Sequence, residues 1–467
     1  MRARLLTLLV LLAAAPWLLG PVGAAALSVY GSPRAVPGGG GCLRDPNDEP
    51  ATEQVCPGVA AGLAGAQAVA VSPDARSVYV AGEGAVVDLA RDRATGALYP
   101  ALSPSTRACI GSSAGSPCAA KDGELSGDDA LTVSPDGRFV YVGASNTATV
   151  SAFARGRHGV LVPLPRNVRG RYFGCVAGAS LEGARQSRCG AHLQALNGVD
   201  ALAISPDGRY LYAVSYGLKS GTDSVVTLQR DPRSGALRPL SGTHGCLQSL
   251  PGSGCRALAD LEGASAITIS RDGRFVYVAS ELSGAVRVFR RNSSTGALTP
   301  LYRRGGCVSS GTRGEGDAPC PVSVPQLAGT RSIALSPDGR ELYVAAFDPG
   351  AVVVLGRNPR SGRLSARPPD CLQAAPDVSC PMGLPFLHGA AALAIRPDGR
   401  AVYVISEGGN SLVELLRNPA DGDLTPASET PTTMAPLSGP VALGLSPGGG
   451  SIYVVSPFEN GVAGLTG

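Results

Sequence analysis

From Gly65 the chain reads GAQAVAVSPDARSVYVAGE, two runs of alternating apolar and polar positions on either side of a short polar break. Period-two alternation rich in Val, Ile and Tyr predicts β-strands, and a Ser-Pro-Asp-Gly-type break between two such runs predicts a tight hairpin turn. The pattern returns as GDDALTVSPDGRFVYVGAS from Gly127, GVDALAISPDGRYLYAVSY from Gly198 and GASAITISRDGRFVYVASE from Gly263. It recurs as GTRSIALSPDGRELYVAAF from Gly329, GAAALAIRPDGRAVYVISE from Gly389 and GPVALGLSPGGGSIYVVSP from Gly439. After each hairpin comes a third apolar run such as AVRVFRR (Ala285 to Arg291), a turn such as NSSTG (Asn292 to Gly296), and a fourth run such as ALTPL (Ala297 to Leu301).

Four antiparallel strands repeated seven times predict an all-β, seven-bladed β-propeller, because radial repetition of small sheets leaves only short protected edges. The last copy ends in a third strand, GVAGLTG. LSVYGSPRAVPGGGGCL, Leu27 to Leu43, resembles the fourth strands that lead into cysteines at Ala236 and Ala297. The N-terminal strand is therefore expected to complete the C-terminal blade and close the ring.

The first residues change the picture of where the protein works. Arg2 and Arg4 precede an apolar run broken by Pro16, Gly20, Pro21 and Gly23 and ending in small residues near Ala26. This is the layout of a secretory signal peptide rather than of a spanning helix, which needs roughly 20 apolar residues. Residues 1–26 are read as the leader and 27–467 as one propeller domain, without a transmembrane anchor once the leader is removed. Loss of Arg2 and Arg4 leaves 38 basic against 36 acidic residues, so no field for nucleic acid is expected. The only tryptophan, Trp17, lies in the leader, which disfavours folds whose blades dock a tryptophan.

Twelve cysteines fall in six close pairs, each between the fourth strand of one repeat and the first of the next: Cys42 with Cys56, Cys109 with Cys118, Cys175 with Cys189, Cys246 with Cys255, Cys307 with Cys320, Cys371 with Cys380. Even number, regular placement and a leader predict six local disulfides and a secreted or extracytoplasmic location. Zinc sites use tighter spacings and converge four ligands. The cysteine segments lie on the face opposite the SPDGR turns, and insertions gathered on one face mark a binding face.

Inside the repeated frame L-x-G-x-x-A the variable positions begin the innermost strands and should ring the channel mouth. Polar ones are Asp128, Asp129, Asn197, Asp200, Glu262, Arg331 and His388, and the segment after the second strand adds Glu281 and Glu407. Asp128, Asp129, Asn197, Asp200, Glu262, Glu281, Arg331 and Glu407 are the expected ligand-binding set. His388, Arg331, Asp200 and Glu262 are the candidates for acid, base or carbonyl-binding roles. Polar residues also line propeller channels with water and no further task. No organic cofactor motif occurs. Ca²⁺, which takes six to eight oxygens, is the metal such an acidic rim would accept.

The motif SPDGRFVYVASE resembles the YVTN-repeat propellers and the lactonase-like propellers grouped with 6-phosphogluconolactonase and carboxymuconate cycloisomerase, over essentially the whole mature chain. The resemblance implies the seven-bladed fold and suggests lactone chemistry by His, Arg and Glu at the channel mouth. Many blades of that group carry His seven residues before the turn Asp. Here those positions hold Gln67, Asp129, Asp200, Ser265, Arg331, Ala391 and Val441. The leading expectation is thus an exported monomeric propeller that binds a small molecule or an extracytoplasmic protein through its disulfide-stapled face. The alternative is a lactonase-like hydrolase or isomerase acting on a lactone or ester.

Overall fold

Each SPDGR turn is built by its own side chains. In blade two the Phe139 N–H donates to Ser134 Oγ at 3.0 Å, the Ser134 hydroxyl donates to Asp136, and the Gly137 N–H closes on the Ser134 carbonyl at 2.8 Å. Gly137 takes φ 67°, a left-handed conformation that costs other L-residues about 1–2 kcal/mol. The first copy has Ala75 there, at φ 58°.

The turn leads into a six-residue second strand, such as Phe139–Ala144 or Tyr210–Ser215, whose every residue is buried in all seven blades. Neighbouring blades stack face on face and cover both sides of this strand, so its interior is apolar on both faces instead of alternating, with Ser and Glu341 only at strand ends. The core is accordingly shared between blades: Phe275 and Tyr277 of blade four pack with Leu342 and Val344 of blade five, and Tyr453 and Val455 of blade seven with Val78 and Val80 of blade one. Every inner strand touches those of both neighbours, and Ala442–Leu445 of blade seven meets Ala68–Val71 of blade one, so the ring closes.

These features come from a computed structural model that describes residues 27–467 apart from 32, 48–55, 102–108, 113–117, 119, 128, 169–171, 179–187, 218–222, 241, 252–253, 312–319, 429–431 and 436–437. The expected leader, residues 1–26, lies outside the described residues. Among the described residues no helix is long and apolar enough to cross a membrane.

Two features extend the four-strand expectation. First, the cysteine segments belong to the sheets, which have six strands in six blades and five in blade five. In blade one the third strand pairs with Leu98–Pro100 at its turn end and with Cys109–Gly111 at its other end, and Ala120–Lys121 adds a parallel strand outside. In blade five the two partners are one bulged strand, Leu364–Gln373. All six expected disulfides form, with Cα atoms 4.9–5.6 Å apart, and each staples an outer strand to the chain that returns to the next blade.

Second, the N-terminal segment serves two blades. Arg34–Ala35 and Cys42–Arg44 pair with Gly461–Thr466 and complete blade seven. Leu27–Tyr30 instead joins blade six, parallel to Ser411–Arg417, with Val29 opposite Leu412. In blade four the same slot holds Cys307–Ser309, with Val308 opposite Val286. Blade six is followed by no cysteine pair, so its sheet lacks that strand; Leu27–Tyr30 fills the gap, and Val29 is fully buried.

Between blades, an arginine at the end of the third strand reaches back to the preceding blade. Arg230 of blade three donates from Nε to the Tyr141 hydroxyl at 2.6 Å, from Nη1 to the Gly208 carbonyl at 2.7 Å, and pairs with Asp136 at 3.0 Å. Tyr141 in turn donates to the Gly235 carbonyl of blade three at 2.7 Å. Arg91, Arg155, Arg291, Arg357 and Arg417 make the same bond to Tyr453, Tyr79, Tyr212, Tyr277 and Tyr343. Burial alone would raise the Asp136 carboxyl, but hydrogen bonds from Ser134, the Arg138 N–H and Arg230 hold it below its ordinary value. Asp74, Asp136, Asp207 and Asp338 are therefore fasteners between blades on the face opposite the cysteine segments, whereas Asp398 pairs with Arg396 of its own turn.

A candidate site at the channel mouth

The mouth is built from two positions of each nineteen-residue copy, the third and the last. The third gives Gln67, Asp129, Asp200, Ser265, Arg331, Ala391 and Val441; the last gives Glu83, Ser145, Tyr216, Glu281, Phe347, Glu407 and Pro457. The antiparallel pairing of inner and second strands brings these two positions together: the Gln67 N–H bonds the Ala81 carbonyl, and the Asp200 N–H bonds the Val214 carbonyl at 3.0 Å. Gln67, Ser265, Glu281, Arg331, Ala391 and Glu407 line an open cavity of about 450 Å³, with Phe458 on its rim.

Arg331 dominates that cavity. Its Nε pairs with Glu281 at 3.0 Å and its Nη1 with Glu407 at 3.3 Å, which spans blades four, five and six. The guanidinium also lies flat on Phe347, 3.6 Å from the ring centroid. Two carboxylates and an aromatic plane fix its orientation while a third of its side chain stays accessible.

Across the mouth sit the carboxyls of blades two and three. Burial pushes Asp200 up to about 8, and the charges of Asp129, Asp223 and Glu281 add to the rise, against one hydrogen bond at 2.6 Å from the Tyr216 N–H. Burial also raises Asp129, against a hydrogen bond with Ser145. Tyr216 is raised by burial and by Glu281, Asp223 and Asp200. Asp223 is itself buried and accepts from the Gly217 N–H at 2.7 Å. The mouth thus holds a clamped cation on blade five and, on blade three, a carboxyl whose proton affinity is raised by burial and by neighbouring carboxylates.

The expected residues divide accordingly. Glu281, Arg331 and Glu407 come together in the cavity, while Asp129 and Asp200 lie at the same mouth without lining it, Asp200 feeling the charges of Asp129 and Glu281. Asn197 is buried just before the inner strand of blade three. Glu262 is exposed on the rim, and His388 is exposed with its ring against the Gly408 backbone, so neither lines the cavity. Asp128 lies outside the described residues. Phe347 and Asp223 were not among the expected residues. Phe347 is legible afterwards as the last position of its copy; Asp223 follows residues outside the repeated frame and has no such signal. Among the described residues the one group of metal-ligating side chains close enough to share an ion is Asp260 with Cys307 and Cys320, and both sulfurs are in a disulfide.

With this geometry in hand, the chain matches the family described as lactonase, 7-bladed beta-propeller, over residues 180–309 and 311–456. That is more than half its length, and the protein belongs to this family of seven-bladed propellers. Among characterised relatives it is 26% identical over 187 residues to a 6-phosphogluconolactonase of Bacillus subtilis, a stretch that is 40% of this chain and 43% of that protein. It therefore spans less than half the length of that relative. Among solved structures it resembles the periplasmic gluconolactonase of Pseudomonas aeruginosa, with TM-score 0.52 and 21% identity over 83% of this chain and 87% of that one. It also resembles hydrazine synthase of Kuenenia stuttgartiensis, with TM-score 0.51 and 15% identity over 88% and 97% of the two chains. At such identities the structural likeness speaks for the fold alone.

Proposed function

We propose that the protein is an extracytoplasmic lactonase that opens an uncharged lactone at the channel mouth. The observation that carries the reading is the arginine clamped between Glu281 and Glu407 in the cavity, with the raised carboxyl of Asp200 near enough to feel Glu281 at the same channel mouth, supported by membership of the lactonase propeller family. The six disulfides argue for an oxidising compartment.

In this reading the lactone carbonyl accepts from Arg331, whose charge stabilises the oxyanion that forms when water adds to the carbonyl carbon. Glu407, on the cavity wall, takes the proton of the attacking water. The ring C–O bond then breaks, and Asp200 gives its proton to the departing oxygen, leaving a hydroxy acid. Half-buried Asp200 suits this donor role because its carboxyl is pushed up to about 8, which favours the protonated form at neutral pH. Substrate charge follows from the same residues. One arginine already paired with two glutamates, facing Asp129 and Asp200, offers no free cation for a phosphate.

The test is a panel of uncharged and phosphorylated lactones and esters, corrected for spontaneous opening, with Ca²⁺ or EDTA. Turnover of an uncharged lactone that falls at least ~100-fold in Arg331→Ala supports the reading. Absence of turnover across the panel by folded protein rejects it and leaves the ligand-binding scaffold.

A further inference from the structure

A second cavity, of about 320 Å³, lies at the outer edge of blade four, away from the channel mouth. Its walls include Asp260, Arg287, Leu301, Tyr302, Arg303 and the Cys307–Cys320 disulfide. Arg287 is out of place by the logic of the repeat. It is the third residue of the third strand, where the other six blades have Val87, Ser151, Val226, Val353, Val413 and Ala463. A small or apolar residue fits there because the strand is buried, and Arg287 itself is only 8% exposed.

Burying a guanidinium in that slot is unfavourable unless it is paired and bonded. Asp260 meets part of the need, pairing with Nη1 at 2.5 Å. The buried Nε has no hydrogen-bond partner among the described residues. A residue that breaks the rule of its repeat without full local compensation marks a functional position.

The surroundings say what the arginine awaits. Tyr302 is 53% exposed, and the guanidiniums of Arg287 and Arg256 each lie 5.6 Å from its ring centroid. Arg256 also donates to the Tyr302 hydroxyl. Arg303 stands beside it in a left-handed conformation, φ 69°. That turn is held by Arg363, whose Nη1 donates to the carbonyls of Tyr302 at 2.9 Å and Arg304 at 2.8 Å. No ion pair among the described residues involves Arg256, Arg303 or Arg304. With Asp260 neutralised by Arg287, the cavity is positive, has a flat aromatic wall, and lies at the small end of the roughly 300–1,000 Å³ of ligand sites.

We propose that this cavity binds a sugar acid, its carboxylate held by Arg287 and Arg303 and the apolar face of its ring laid on Tyr302. A carboxylate supplies the planar acceptor that a guanidinium edge prefers. The aromatic wall adds what a bare inorganic anion cannot use. This site is independent of the lactonase reading.

The experiment is saturation-transfer NMR with titration calorimetry on the full mature chain, using galacturonate, gluconate, galactose, methyl galacturonate and inorganic phosphate. Saturable binding of a sugar acid is expected, with the neutral sugar and the methyl ester at least about tenfold weaker. Tyr302→Ala and Arg303→Ala should each weaken it about tenfold at unchanged melting temperature, while Arg331→Ala leaves it intact. An oligogalacturonate that binds tighter than the monomer assigns the site to a glycan; equal affinity assigns it to a free sugar acid. Galactose binding as well as galacturonate, phosphate competing equally, loss of binding in Arg331→Ala, or no binding at all would each overturn the proposal.

Discussion

Replacing Asp200 with asparagine separates chemistry from stability in one substitution. The amide keeps the shape of the protonated acid and can still accept from the Tyr216 N–H. Asp200 titrates near 8 in the folded protein against an ordinary 3.8, because burial and neighbouring carboxylates disfavour its anion. Its favourable contribution is therefore complete below about 3.8 and is lost as pH rises through about 8. At about 1.4 kcal/mol for each tenfold change in proton affinity, the whole effect is at most ~6 kcal/mol. Water at the open mouth makes the measured value smaller.

Between pH 5 and pH 9 the wild-type protein should thus lose several kcal/mol more than Asp200→Asn in urea unfolding. The control is Asp88→Asn. Asp88 is also pushed up to about 8 by burial, lies between blades one and two, and accepts from the Leu161 N–H at 2.7 Å. Both variants should flatten the pH dependence of stability. Only Asp200→Asn should lower kcat/KM, by ~10²–10⁴-fold, and erase the fall in wild-type activity above pH 8. An Asp200→Asn enzyme with wild-type turnover and an unchanged alkaline limb would refute the general-acid role. Equal loss of turnover in Asp88→Asn would show that the effect is structural.

Three further outcomes concern the scaffold. Arg230→Met strips the blade two to blade three fastener of its bonds to Tyr141, Gly208 and Asp136, and should cost about 3 kcal/mol in urea unfolding at pH 7. Ala75→Gly restores the residue that the other SPDGR-type turns use at positive φ, and should raise stability by about 0.5–1 kcal/mol, read as a higher melting temperature. Val29→Ala should destabilise by about 1–3 kcal/mol, because the strand that fills blade six buries this side chain completely; an unchanged midpoint would mean the strand is not seated there.

The ring was readable because its determinants are local and repeated. The Ser-Pro-Asp-Gly turn and the apolar second strand appear seven times, so chance variation averages out. The pairing of the cysteines was equally readable, being local in every case. What the sequence concealed depends on what a strand lacks. Leu27–Tyr30 was expected beside blade seven with the rest of its segment, yet it goes to blade six, because only there is an outer position left empty by a missing cysteine pair. The candidate site was half legible for a similar reason. The third position of each copy pointed to Asp129, Asp200 and Arg331, while Phe347 needed the strand pairing that brings the third and last residues of a copy together. His388 and Glu262 were misleading because each sits three residues before the cavity-lining position of its copy, Ala391 and Ser265, and is exposed on the rim.

The most direct measurement is pH-stat hydrolysis of glucono-δ-lactone and its 6-phosphate by the purified protein, against spontaneous opening in the same buffer. Faster opening of the uncharged lactone, with the phosphorylated one at least about tenfold poorer in kcat/KM, is the predicted result. Preference for the phosphate, or no rate above the spontaneous one for any lactone, would contradict the account.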